Sequence, residues 1–386
     1  MNGQENLKVI VVGGGIGGLT VALALQRDGH DVTVAEAARD VAHVWVGGGL
    51  HAWHNTMHAL QQIGIAREVE AAGHVVTRAE FATRSGRVLA AWPVADIARR
   101  VGAPTVDLGR GDLLRVLGGP LAPGTVRTGL VFDRFDQDET GVTVHFANGQ
   151  EARGDVLIGA DGIRSAVRRQ LLGPIQPRSA GYAVWGGIVD FDRSRTRPGV
   201  FRLMYHRDNR IGYHRIGQDH LCWFATANIR PRDPDPPEGH KPFLLEAFRG
   251  WQEPVEAIIA ATDEAVIRRR DMFALPPLKR WGKGRVTLLG DAAHAMTFDL
   301  GQGAGQAIED AAVLARCLRQ GNDVASSLRA YEEQRRRRTA SLQTASWWIG
   351  QINRWESRLM SAFRTHLVTF LLNGPVRKQH ERNMAI

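Results

Sequence analysis

Three clusters in this sequence have residue types and spacings that could do chemistry. The first is Gly13-Gly14-Gly15-Ile16-Gly17-Gly18, with G-x-G-x-x-G at 13, 15 and 18. Glycine lets the chain turn tightly and lets its backbone approach a pyrophosphate, while the first turn of the next helix, from Ile16 on, offers N–H groups to the phosphate charge. Glu36, at the end of the following strand pattern, could accept bonds from an adenosine ribose, or be an exposed strand-end acid. The second cluster is the apolar run from Asp155 ending in Gly-Ala-Asp161-Gly162, with Arg164 and Ser165 after it. It reads equally as a strand-to-helix turn capped by Asp161 or Ser165. The third is Gly290-Asp291-Ala-Ala-His294, followed by Gly301-Gln302-Gly303-Ala304 at the entry to a helix. Asp291 at a strand end can bond sugar hydroxyls, and a glycine-rich helix entry can turn positive backbone N–H groups toward a ring that becomes negative on reduction. His294 could be a base, but a structural hydrogen bond at the turn is the stronger expectation.

These residues need a framework to hold them. Lys8–Val12 is an apolar strand, a helical pattern runs through Leu19, Leu23 and Leu25, and Asp31–Glu36 is a second strand, which together open a dinucleotide-binding fold. The middle differs: Arg78–Trp92, Tyr182–Phe191, Val200–Met204, Arg210–Arg215 and Leu221–Asn228 are short β-branched or aromatic runs that predict an antiparallel sheet, and Pro231–Pro237 is a loop. The α/β pattern returns with the strand Arg285–Leu289 and the helix Gln306–Arg319, and long helices are expected from Ala325 to Leu372 with Trp347, Trp348 and Trp355 on packing faces. The fold expected is therefore α/β: a Rossmann-like dinucleotide-binding domain with an inserted antiparallel β-sheet domain and a helical C-terminus. The dinucleotide domain would be discontinuous, from residues 1–75, 101–175 and 276–345. The sheet domain would comprise 76–100 and 176–275, and the C-terminal helices 346–386.

Composition narrows the class. The 386 residues are 44% hydrophobic and 23% charged, as in ordinary globular proteins. No run approaches the ~18 apolar residues a spanning helix needs, so no membrane span is expected. The polar N-terminus suggests no signal peptide, and Cys222 and Cys317 alone cannot form a disulfide framework, so a cytoplasmic location is expected. The net charge of +9 is spread rather than striped with aromatics, which argues against nucleic acid. The dense run Arg335–Arg338 reads as a solvated helix face.

All three motifs, in this order, resemble the single-component flavoprotein aromatic hydroxylases, the para-hydroxybenzoate hydroxylase-like group, with salicylate-, 6-hydroxynicotinate- and urate-hydroxylase types and zeaxanthin epoxidase-like members nearest. The resemblance covers nearly the whole chain. Gly47–Asn55 is similar to the family's loop after the second strand, and Arg110-Gly-Asp-Leu-Leu to its arginine segment beside the flavin. Gly181–Gly187 resembles its Y-x-x-W-x-G strand, and Arg210–Thr226 the sheet segment facing substrate. The resemblance implies that Gly13, Gly15, Ile16 and Gly18 cradle the FAD pyrophosphate, that Glu36 holds the adenosine ribose, and that Arg110 and Asp291 contact the sugar and ribityl region. Asp161-Gly162 would serve both FAD and the nicotinamide cofactor, and Gly301, Gln302, Gly303 and Ala304 would face the flavin. NADH or NADPH would dock transiently, consistent with a single glycine-rich fingerprint. The implied reaction is hydride reduction of FAD, O₂ addition at flavin C4a, and oxygen transfer to an electron-rich carbon of a small aromatic or heteroaromatic molecule, by hydroxylation or epoxidation. A monomer or homodimer is expected, with no metal.

Within that resemblance His214 is the candidate base for deprotonating a phenol, because a histidine serves in this neighbourhood in part of the family and an imidazole accepts protons at neutral pH. Trp185, Tyr205, Arg215, Trp223 and Phe298 are the expected pocket residues, although regular alternation would send His214 and Arg215 to opposite faces. His51 and Trp53 are read as packing residues near the flavin edge. Phe298, Arg215 and His54 stand where the family usually has proline, and Gly186 where many members are polar. Two other readings remain: a flavin-dependent halogenase, against which no W-x-W-x-I-P segment is found, and a non-redox FAD-containing cyclase or binding scaffold.

Overall fold

A computed structural model describes residues 6–40, 48–207, 209–217, 220–229 and 233–374. Gly47, residues 231 and 232 of the proline-rich loop, and 375–386 of the C-terminal segment lie outside the described residues.

The apolar run Lys8–Val12 becomes the central strand of a five-stranded parallel sheet. Its neighbours are Asp31–Glu36 on one side and Val156–Gly159 on the other, with Val126–Thr128 and Val286–Leu288 at the edges. Val9, Ile10, Val11 and Val12 are all buried, as a strand covered on both faces requires. The helix Ile16–Arg27 crosses from the first strand to the second, and Leu19, Val21, Leu23 and Leu25 bury its apolar face. Strand ends and helix starts of this layer therefore converge at one edge, where the glycine motifs lie.

The second layer is a seven-stranded sheet in the order Arg268–Ala274, Arg178–Asp190, His220–Asn228, Asn209–Ile216, Val200–His206, Arg78–Thr83 and Val88–Trp92. Its pairings are antiparallel except one, since Val200–Tyr205 runs parallel to Arg78–Thr83. One face is closed by the helices His240–Ala247 and Val255–Ala261, which bury Trp185, Trp223 and Phe248. The other face turns toward the dinucleotide layer. A three-stranded sheet joins the two, with Thr105–Gly109 between Gly49–Ala52 and His74–Val76.

The C-terminal part is helical, Val324–Asn353 and then Arg358–Asn373. Two expectations fail here. Trp348 is 60% exposed rather than packed. Arg335 is buried instead of solvated, because the acidic pair Glu309 and Asp310 on the helix Gly303–Gln320 neutralises it. Its Nη1 donates to Glu309 Oε2 at 2.6 Å and its Nε to Asp310 Oδ1 at 2.7 Å. Of the run, only Arg337 is exposed, and Arg336 and Arg338 are half-buried.

Candidate active site

One cavity of about 480 Å³ is lined by both layers. At its dinucleotide end the glycine motifs do different jobs. A Cβ on Gly18 would lie 1.8 Å from the Gly13 carbonyl oxygen, and one on Gly13 2.4 Å from the Ala160 oxygen, so these two make the turn possible by close backbone packing. Gly15, Ile16 and Gly17 line the cavity, and Gly15 precedes the helix without a side-chain cap. Gly303 and Ala304 line it from the start of a second helix, whose N-cap Gln302 also gives no side-chain cap, and Gly301 lies beside them. Two helix N-termini therefore leave backbone donors for a ligand. The Gln302 side chain itself is buried and accepts from Asn55 Nδ2 at 3.0 Å.

Arg110 and Asp291 face the same end. Burial lowers the Arg110 guanidinium, with Arg270 adding to the effect and Asp291 opposing it. Asp291 stays accessible on the cavity side, and the protein packed around its carboxyl pushes it upward, against the pull of His294 and Arg110. Glu36 accepts from the Gly14 amide at 2.7 Å and the Ala38 amide at 2.8 Å, which fixes it beside the glycine turn. Asp161 is a cap: its Oδ2 accepts from the amides of Ala166 and Val167 at 2.7 and 3.1 Å, and Ser165 Oγ accepts from Arg168 at 2.8 Å. Of that motif, Gly162 lines the cavity. His294 is structural, with Nε2 2.6 Å from Asp310 Oδ2 in a buried contact. Uncapped helix starts, a close-packed glycine turn and a facing Asp–Arg pair fit a flavin dinucleotide.

At the other end, strand alternation decides which side chains matter. Arg210 and His214 line the cavity from Asn209–Ile216, and Phe224 from the neighbouring strand. Arg215 points to the opposite face, where Nη2 donates to Thr196 Oγ1 at 2.7 Å and to the Asp192 carbonyl at 3.2 Å. Trp223 also faces away and donates to Thr262 Oγ1 at 2.9 Å, and Trp185 packs on Phe243 with ring centroids 5.2 Å apart. Arg215, Trp185 and Trp223 are thus outside the cavity, while Tyr205 and Phe298 are in its wall. Phe81, Trp92, Phe201 and Leu203 complete the apolar lining.

His214 is not alone. Its Nδ1 is 2.7 Å from Asp107 Oδ2, and His51 Nδ1 is 2.5 Å from Asp107 Oδ1. Burial would raise the Asp107 carboxyl, but the two imidazoles outweigh it and hold it at about 2. An ionised carboxylate only accepts, so each neutral ring must carry its proton on Nδ1 and keep Nε2 basic. Burial lowers the His214 pKa below its ordinary value of 6.5, with Asp107 opposing. Sequence reading missed Asp107 and Arg210 and undervalued His51. The alternation of Arg210 with His214 was the available signal for Arg210.

Comparison with known proteins agrees with this geometry. The sequence profile of the FAD binding domain family matches residues 6–346. This chain belongs to the para-hydroxybenzoate hydroxylase-like FAD monooxygenases. The aurachin C monooxygenase/isomerase of Stigmatella aurantiaca is 36% identical to it over 381 residues, covering 99% of this chain and 98% of that protein. An FAD-dependent urate hydroxylase of Klebsiella pneumoniae is 34% identical over 331 residues, 85% of this chain and 86% of its own. A Klebsiella pneumoniae protein crystallised with FAD and uric acid superposes with a TM-score of 0.92 at 30% identity, covering 99% of this chain and 97% of that one. The enzyme is an FAD-dependent monooxygenase that uses NADH or NADPH and O₂ on a small molecule. No helix among the described residues is long and apolar enough to cross a membrane.

Proposed function

We propose that this monooxygenase hydroxylates or epoxidises an aromatic or heteroaromatic ring held between the flavin site and the His51–Asp107–His214 group. The observation that carries the reading is that His214, with its Nδ1 fixed on Asp107, shares one cavity with Arg110, Asp291 and the uncapped helix starts. That the relatives include a urate hydroxylase and an aurachin C monooxygenase supports a ring substrate with an acidic O–H or N–H.

The glycine turn and the start of the helix Ile16–Arg27 would receive the pyrophosphate, Glu36 the adenosine ribose, and Arg110 and Asp291 the ribityl region. The start of the helix Gly303–Gln320 would favour a negatively charged reduced ring. Asp161 would act by capping the helix that holds Gly162 in place. When bound, FAD supplies electrons taken from the nicotinamide and, with O₂, an electrophilic oxygen. His214 Nε2 removes the substrate's acidic proton, and Asp107 stabilises the imidazolium that results, so the ring carbon becomes more electron-rich. The apolar walls exclude water.

The test is NAD(P)H oxidation by the purified, FAD-loaded protein with a panel of phenols, heteroaromatic enols and aromatic acids, with product identified by mass. Ring-stimulated oxidation and an oxygenated product without halide are expected. A strict halide requirement would indicate a halogenase, and no nicotinamide consumption with any ring would indicate a non-redox scaffold.

A further inference from the structure

We infer that the substrate is an uncharged, largely apolar aromatic ring bearing one acidic O–H or N–H, and that rings carrying a carboxylate are excluded. This rests on the reading of the cavity as the hydroxylation site. A carboxylated ring needs an uncompensated cation to replace its hydration, and the arginine away from the dinucleotide end, Arg210, is already paired with Asp299.

Among the described residues two arginines line the cavity, Arg110 and Arg210. Arg110 sits with Asp291 at the dinucleotide end. Arg210 is buried, and its Nη1 donates to Asp299 Oδ1 at 2.8 Å while its Nε donates to Thr226 Oγ1 at 3.2 Å. The other oxygen of Asp299 accepts from the Tyr182 hydroxyl at 2.5 Å. The Arg210–Asp299 pair is therefore fixed from both sides and carries no net charge. A carboxylate placed beside it would be a second anion against one guanidinium.

The histidines provide no spare charge either. If one of them is protonated, Asp107 balances it, since both bond that single carboxylate. Burial pushes the Tyr205 hydroxyl up to about 12, so it faces the cavity as a neutral group. Phe81, Trp92, Phe201, Leu203 and Phe224 add aromatic and aliphatic surface and no charge. What Arg210 and Tyr205 contribute is hydrogen bonding to a neutral ring rather than charge recognition.

The experiment compares 2-naphthol, 6-hydroxy-2-naphthamide and 6-hydroxy-2-naphthoate by titration calorimetry on the FAD-loaded enzyme in the absence of nicotinamide. The naphthol and the neutral amide should bind, and the carboxylate should bind ~100-fold more weakly or not at all, the scale of an unpaired buried charge. The amide matches the carboxylate in shape, so a difference between them reports charge. In Asp299→Asn the freed Arg210 should raise carboxylate affinity ~10-fold or more while the naphthol changes little. Wild-type enzyme that binds the carboxylate as tightly as the amide overturns the inference, even if Asp299→Asn fails to fold, and so does failure of both neutral rings to bind. Neutral rings that bind without stimulating NAD(P)H oxidation would instead count against the hydroxylase reading and leave the charge selectivity standing.

Discussion

Asp107 accepts a hydrogen bond from Nδ1 of both His51 and His214, and the two imidazole rings lie 4.5 Å apart. Because His51 and Asp107 are cross-strand partners in register, the contact is set by the sheet and not by a flexible loop. One buried carboxylate can stabilise one imidazolium well, but a second positive ring at this distance would meet like-charge repulsion. Asp107 is therefore one counter-charge shared by two rings, and its charge acts on His214.

That coupling sets a pH profile. His214 has a pKa lowered by burial, so its basic form persists at and below pH 6.5. Ring hydroxylation should stay level from about pH 8 to about 6.5 and decline only as pH falls through the depressed pKa. Asp107→Asn removes the charge that opposes burial, so the acid limb should move to lower pH. Its plateau should fall ~10²-fold, because an amide offers one acceptor to two Nδ1–H donors. An acid limb that moves upward in Asp107→Asn would contradict the arrangement.

Gly18→Ala should damage the dinucleotide site through the fold. The new methyl would collide with the Gly13 carbonyl, since the gap is 1.8 Å and neither backbone can move without opening the turn. A cost of ~1–3 kcal/mol in stability and a loss of bound FAD are expected. Thermal unfolding of the FAD-free forms separates the two effects, and an unchanged midpoint would refute the packing argument.

Asp291→Ala should weaken FAD retention while leaving the fold intact. The carboxyl opens onto the cavity and caps no helix with its side chain. A charge-assisted bond to a sugar hydroxyl is worth ~1.5–3 kcal/mol, or roughly 10–150-fold in affinity. Fluorescence titration of the apoprotein with FAD measures it, and unchanged affinity would mean that Asp291 makes no such bond.

Arg335→Leu and Arg337→Leu should differ sharply although they are two residues apart. Arg335 is buried against Glu309, Asp310 and Gln306, so its removal leaves Glu309 with Arg338 and Asp310 with His294 as their remaining charge partners and should cost ~3–5 kcal/mol. Arg337 is exposed, and its removal should change stability by less than ~0.5 kcal/mol. Equal denaturation midpoints for the two variants would refute the buried network.

What could be read in the sequence follows from how local each signal is. The glycine turn was legible because strand, turn and helix are contiguous, and G-x-G-x-x-G constrains backbone geometry directly. Asp107 was not, because it acts on residues 56 and 107 positions away, joined only by sheet pairing. The sheet itself was legible, and so was the opposite orientation of His214 and Arg215, but which parity faces the cavity depends on the layer packed against the sheet. Trp223 and Arg215 were expected in the pocket, yet Phe224 and His214, one position away, are the ones that face it. Arg335 looked solvated because its two acidic partners belong to a different helix.

The decisive variant is His214→Ala. His214 is in the cavity wall, 3% exposed, and its Nδ1 is committed to Asp107, so Nε2 is the nitrogen able to take a substrate proton. Removing it should lower the yield of oxygenated product from a phenol by ~10²–10⁴-fold, the scale of acid–base assistance. FAD content and substrate-free oxidation of NAD(P)H should change little, because Arg110, Asp291 and the glycine turn lie at the other end of the cavity. Reducing equivalents would then reach O₂ without reaching the ring, and H₂O₂ would accumulate in place of product. A ring bearing an electron-donating amine needs less deprotonation and should lose less. His51→Ala serves as the control for packing, since it keeps the His214–Asp107 bond while removing the second imidazole. Product yield and peroxide release measured together on both variants separate a proton acceptor from a wall residue. Full coupling of a phenol in His214→Ala would show that the base lies elsewhere in the cavity.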